Sequence, residues 1–375
     1  MTLVTDQIAG FPSSVTKALL PPAVFYSTKP KSNRKSYLVM KPIISFALLG
    51  ALFAVGAANA AVTDPVGYVT LGDTTAGQPS IKAQTDIVAS IPLDQASVFA
   101  GTVASVAGNI ITISGTPALG SFTGTPHVAK IEGGAKSGLV SLITANDATT
   151  VTVTVPTGDS LAGIVAGDAI TIRPAWTLLK LATGNTLPAG TQLLAFGGST
   201  PGINLASDAA YEWDGTAWTD LNSFDLANNV VLFTGESFVI RNGTNTPVTS
   251  FVVTGEVPTS NSRVVVSKLA AGVGQDNRLA YVSPVSEVIG VSGLGAALVS
   301  GDQLLVFNNG SAGINKAASS VIEWDGSAWT DLDTFDNVTN TFSLVGGNGY
   351  VIRKGSAAAV SDVVWSDAPT YVPTL

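Results

Sequence analysis

Two eleven-residue stretches, Tyr211–Leu221 (YEWDGTAWTDL) and Ile322–Leu332 (IEWDGSAWTDL), repeat at a constant spacing of 111 positions. A repeat this specific constrains the chain to a duplicated unit, with both copies in equivalent surroundings. Asp214-Gly215 and Asp325-Gly326 each lie between short β-prone runs. Asp-Gly in that setting is a strong hairpin signal, because a type I′ turn needs positive φ at both central residues. A two-residue loop pairs Trp213 with Thr216, Glu212 with Ala217 and Tyr211 with Trp218. Strand alternation then gathers Tyr211, Trp213 and Trp218 on one face, with Glu212 on the other. The second copy gathers Ile322, Trp324 and Trp329. Four of the six tryptophans stand in these hairpins. Such a face can bury a hairpin, each aromatic contributing ~1.5–3 kcal/mol. Alternatively, Tyr211, Trp213, Trp218, Trp324 and Trp329 can stack on sugar rings. Duplication favours the hydrophobic anchor.

The repeat extends in both directions. Gly190, Gln192, Leu193, Leu194, Phe196, Gly202, Ile203 and Asn204 recur as Gly301, Gln303, Leu304, Leu305, Phe307, Gly313, Ile314 and Asn315. Phe238–Arg241 returns as Tyr350–Arg353, with one residue added on the way. Upstream, residues 86–93 resemble 277–284 at a spacing of about 191, so the first copy carries an insertion of about 80 residues. Its natural seat is residues 101–176, where Val103–Val106, Gly108-Asn109 and Ile110–Ser114 form one hairpin pattern. A segment of that length, with its own turns, folds as a module rather than a loop.

No segment has a helical period, and turn residues recur at sandwich spacing. The expected fold is all-β: two tandem, homologous sandwich-like units, the first interrupted by a small barrel or sandwich. Residues 61–100 and 177–259 form the first unit, 101–176 the insert and 260–375 the second unit.

Residues 40–60 read as a signal peptide: a lysine, an apolar run from Ile43 to Val55, then Ala58-Asn59-Ala60 before a cleavage point. Residues 1–39 are expected to be an extension upstream of a true start at Met40. The remaining chain has 12 basic against 25 acidic residues, a formal charge of −13, and neither Cys nor Met. Disulfides and thiolate metal sites are therefore excluded. The acidity argues against nucleic acid as a partner. No membrane span is expected after cleavage, because the apolar run is short for a bilayer. The location expected is periplasmic, cell-surface or extracellular.

The chain resembles an uncharacterised group of exported bacterial proteins. The resemblance is carried by the TDPVGY stretch at Thr63–Tyr68, the blocks Gly101–Gly115 and Gly167–Leu178, and the repeated WDG-AW and VIR patterns up to Thr370. It covers nearly all of the mature chain and implies export and a β-rich architecture, but no activity.

Candidate chemistry is sparse. His127 is the only histidine, and no G-x-S-x-G elbow offers a nucleophile. Paired carboxylates suffice for a glycoside hydrolase, with Glu212/Asp214 or Glu323/Asp325 as candidates. Turn formation already accounts for the aspartates. Oxygen side chains recur after each hairpin, Asp220, Asn222 and Asp225 in one copy and Asp331, Asp333 and Asp336 in the other, a pattern that suits calcium. No other cofactor is expected. The function expected is a non-enzymatic, exported protein with a structural, adhesive or assembly role. Self-assembly or surface glycans are its candidate partners. Trp-lined carbohydrate binding is the first alternative and a carboxylate-dependent hydrolase the second.

Overall fold

A computed structural model describes residues 65–371, apart from 116–118, 121 and 123. The expected leader at 1–39 and signal peptide at 40–60 lie outside the described residues. The described chain is all-β, with no helix long and apolar enough to cross a membrane. The longest α-helix is the single turn Leu178–Ala182, which sequence periodicity is too short to reveal. The Thr177 hydroxyl caps it by accepting from the Lys180 N–H at 3.2 Å.

Each repeat builds a five-stranded antiparallel sheet in the same order. In the first the order is Trp218–Asp220, Ala209–Trp213, Thr191–Ala195, Ser237–Asn242 and Thr85–Ser90. In the second it is Trp329–Asp331, Ser320–Trp324, Asp302–Val306, Gly349–Lys354 and Gln275–Ala280. Two-stranded ribbons cover each sheet, Val66–Thr70 with Val252–Glu256 and Ser262–Lys268 with Ser361–Asp367. Each repeat closes over its own core, around Ile87, Leu193, Ile240 and Trp218 in the first and Leu304, Ile322, Ile352 and Trp329 in the second.

Between Phe99 and Pro174 the chain forms a closed six-stranded barrel. Alternation along its strands points Val103, Ile111, Ile113, Val151, Val153, Ile170 and Ile172 inward to make a third core. The Phe99 ring lies over Gly101 and Gly115, where a Cβ would approach it to 2.7 and 2.8 Å, so both positions require glycine. Buried ion pairs tie the barrel down. Lys130 meets Asp94 at 2.7 Å, and Arg173 pairs with Glu256 of the first repeat. Asp159 receives Arg263 of the second repeat at 3.0 Å.

The hairpin register differs from the two-residue loop expected. Trp213 pairs directly with Trp218, Glu212 with Thr219 and Tyr211 with Asp220, and Trp324 pairs with Trp329. The cause is the carboxylate of Asp214, whose Oδ1 accepts from the N–H groups of Thr216 and Ala217 at 2.7 and 2.8 Å. Asp214 N–H also bonds Ala217 C=O, closing a four-residue turn in which only Gly215 takes positive φ. Asp325 acts identically in the second copy. The shift moves only the second strand, by two residues, so Tyr211, Trp213 and Trp218 still share a face.

The repeated Gly-Ile-Asn segments join the two repeats reciprocally. Arg241 makes a bidentate pair with Asp86 at 2.9 Å and reaches Asn315, whose N–H bonds Asp86 at 2.7 Å. Arg353 makes the same pair with Asp276 and reaches Asn204, whose N–H bonds Asp276 at 2.8 Å. Asn204 and Asn315 both adopt left-handed φ, +53° and +55°. The repeats thus meet as the two halves of an isologous dimer do.

Candidate functional site

The residues singled out in the sequence take structural places. Trp218 and Trp329 are 0% and 1% exposed, and Tyr211 and Trp213 are also buried. Trp324, half-buried, packs against Gly295, where a Cβ would meet its ring at 2.8 Å. The paired indoles lie 5.6 Å apart in the first copy and 5.2 Å in the second. Buried this way, the four buried rings have no free face on which a sugar could stack. Glu212, on the opposite face, accepts from Gln192 at 3.0 Å, while Asp214 spends its carboxylate on the turn. Those turn hydrogen bonds hold the Asp214 and Asp325 carboxyls below the usual range.

The aspartates after each hairpin are turn residues as well. Asp220 Oδ1 accepts from the N–H of Asn222 at 2.7 Å, and Asp331 Oδ1 from that of Asp333 at 2.8 Å. Asp225 and Asp336 each bond back through their C=O to the N–H of Asp220 and Asp331. Among the described residues no three acidic or histidine side chains converge as a metal site, so the second copy's Asp331, Asp333 and Asp336 do not come together. The same loop raises Phe224 and Phe335 into solvent at φ +61° and +60°, 78% and 79% exposed. Positive φ is rare for a bulky side chain, and both copies maintain it. His127 stacks on Phe122 at 4.4 Å, with its Nδ1 2.8 Å from Thr125 C=O.

What the sequence reading did not find is a cleft of about 580 Å³ where the barrel and both repeats meet. Leu139, Val140 and Leu142 come from the barrel, Phe196 to Ser199 and Phe233 to Glu236 from the first repeat, and Arg263 to Val265 and Asn277 to Leu279 from the second. Three acids line it. Asp94 is held by Lys130, and Asp159 by Arg263 and Lys136. Burial works against the Lys130 charge, but Asp94 and Glu132 outweigh it and raise its pKa. Burial likewise opposes the Asp159 charge, and hydrogen bonds from Arg263 and Lys136 outweigh it.

Glu236 differs from both. Its carboxylate is open to the cleft and has no hydrogen-bond or ion-pair partner among the described residues. The surrounding walls strip enough hydration to push its carboxyl up to about 7. Arg278, on the edge strand of the second sheet, has no ion pair among the described residues. Its guanidinium lies 3.5 Å from the centre of the Phe196 ring, and burial lowers its pKa.

The repeat shows how this opening arises. At the equivalent seam of the other repeat, Asn309 bonds both the N–H and the C=O of Val88 at 2.9 Å and donates to Asn348 at 3.1 Å, which closes the gap. Aligned positions on the open side carry Gly198 for Asn309, Glu236 for Asn348 and Arg278 for Val88. A position-by-position comparison of the two copies, looking for departures, is the signal that would have revealed it. No family model, curated protein or solved structure matches the chain.

Proposed function

We propose that this chain is an exported, non-enzymatic binding protein, and that it holds its ligand in the cleft between the barrel and the two repeats. The observation that carries the reading is two charges without an ion pair among the described residues, Glu236 and Arg278, set in an apolar-walled cleft where the matching seam is sealed. Charged groups left without protein partners in a concave site are a common signature of ligand recognition. A non-catalytic role is supported by the pairing of the other two acids, which leaves one carboxylate without a second to share acid–base work. Export rests on the sequence of residues 40–60.

The test is a thermal-shift screen of oligosaccharides, short peptides and aromatic amides against the wild type and Ser199→Trp, which fills the cleft. A ligand at about 100 times its Kd adds ~2.7 kcal/mol to stability. The wild type should respond to one class and the variant should not. An equal response in both, or none in either, rejects the cleft.

A second reading, surface attachment or assembly, is favoured by Phe224 and Phe335, which both copies hold out in strained backbone. Removing both rings should then reduce self-association in sedimentation velocity.

A further inference from the structure

This inference deepens the cleft reading and depends on it. Among the described residues, three asparagines seal strand edges in one way. Asn309 donates to Val88 C=O and accepts from Val88 N–H, both at 2.9 Å. Asn185 does the same to Val252 at 3.0 and 2.8 Å. Asn277 does it to Ser267 at 3.0 and 2.7 Å. In each case a carboxamide, with donor and acceptor side by side, matches one residue whose N–H and C=O both face out of a sheet.

Arg278 presents the same pair of groups with no asparagine on them. Its strand is the edge of the second sheet. Two residues before it, Asp276 N–H bonds Gly202 C=O at 2.9 Å, and two residues after it, Ala280 N–H bonds Gly235 C=O at 3.2 Å. Strand alternation therefore turns the N–H and C=O of Arg278 the same way, into the cleft; its N–H has no partner among the described residues, while its C=O faces Ser237 N–H across the Glu236–Leu279 bridge and keeps a second lone pair free, as Val88 C=O does when it takes Asn309. Gly198 occupies the position aligned with Asn309, and a Cβ built there meets nothing within 4 Å. Glu236 occupies the position of Asn348, whose side-chain oxygen accepts the second amide hydrogen of Asn309.

We propose that the cleft binds a primary carboxamide, the side chain of an asparagine or glutamine on a peptide. Its oxygen accepts from Arg278 N–H, one amide hydrogen goes to Arg278 C=O, and the other to the Glu236 carboxylate. Phe196, Leu139 and Val140 take the aliphatic parts of the peptide. An acidic side chain is rejected, because it has no amide hydrogens to give and would face Glu236.

The probes are the N-acetyl methylamides of asparagine, glutamine, aspartate and leucine, titrated into the full, ¹⁵N-labelled chain. The asparagine or glutamine probe should shift the amide resonances of Arg278 and Glu236 saturably, with aspartate and leucine at least ~tenfold weaker, the loss expected for unmade buried hydrogen bonds. Arg278→Pro removes an N–H that faces away from the neighbouring strand and should weaken binding at least ~tenfold. If that variant does not fold, Gly198→Asn serves instead. It adds a side chain to the cleft wall at φ +61°, which asparagine tolerates, and should abolish binding by filling the site.

Equal binding of the leucine probe, or unchanged binding in Arg278→Pro or Gly198→Asn, overturns the proposal. Acetamide binding as tightly as the asparagine probe overturns the peptide as its source. Silence from both amide probes overturns the amide inference alone, since the broader ligand screen judges the cleft independently.

Discussion

Arg353 and Asn204 lie 149 residues apart in the chain, yet the guanidinium of one donates to the side-chain oxygen of the other at 2.8 Å. The contact is mirrored by Arg241 and Asn315. Both arginines also hold an aspartate bidentately, a charge-assisted geometry that fixes orientation as well as adding energy.

Each clasp should therefore matter equally. Arg241→Met and Arg353→Met are each expected to lower stability by ~2 kcal/mol in urea unfolding, the range for hydrogen bonds to partly buried charged groups. Losses below ~0.5 kcal/mol would reduce the clasps to ordinary surface pairs.

Trp218 should behave as core. Trp218→Ala is expected to cost ~3–5 kcal/mol in thermal or denaturant unfolding, as for other buried tryptophans. A variant of near wild-type stability would reopen the case for a binding surface there.

A buried charge pair distinguishes the repeats. Lys354 pairs with Asp302 inside the second repeat, where the first has Asn242 and Thr191. Lys354→Ala strands Asp302 and should cost ~3–5 kcal/mol. The double change Asp302→Thr with Lys354→Asn copies the first repeat and should recover most of that loss. A double-mutant cycle measures the coupling.

Asp367 gives a pH dependence with a definite sign. It is buried beside Glu287, and desolvation first, then that neighbouring charge, push its carboxyl up to about 7. The folded state thus binds its proton more tightly than the unfolded chain. Its contribution is fully present below about pH 4 and is lost as pH rises through about 7, at up to ~1.4 kcal/mol per pH unit. Asp367→Asn should remove this slope. The difference in unfolding free energy between wild type and variant, measured from pH 4 to 8, should favour the variant more as pH rises. A difference that stays flat over that range would contradict it.

The all-β architecture was legible in the sequence because Trp213, Trp218 and their copies obey a period of two, and a buried face enforces that period. The turn register was not, because the Asp214 carboxylate, rather than the Asp-Gly backbone, sets the loop length. The cleft was hidden for another reason. Phe196 reads only as part of the repeat, Glu236 and Arg278 carry no local pattern, and only the packing of three separate modules brings them together.

The reciprocal seam also has an evolutionary corollary. Two separate, identical subunits meeting across a two-fold axis must change both junctions whenever a gene changes one. Joining the subunits head to tail in one polypeptide lifts that obligation. Within one polypeptide Asn309 plugs one side while Gly198 leaves the other open, so a symmetric contact serves as a lock on one flank and a mouth on the other.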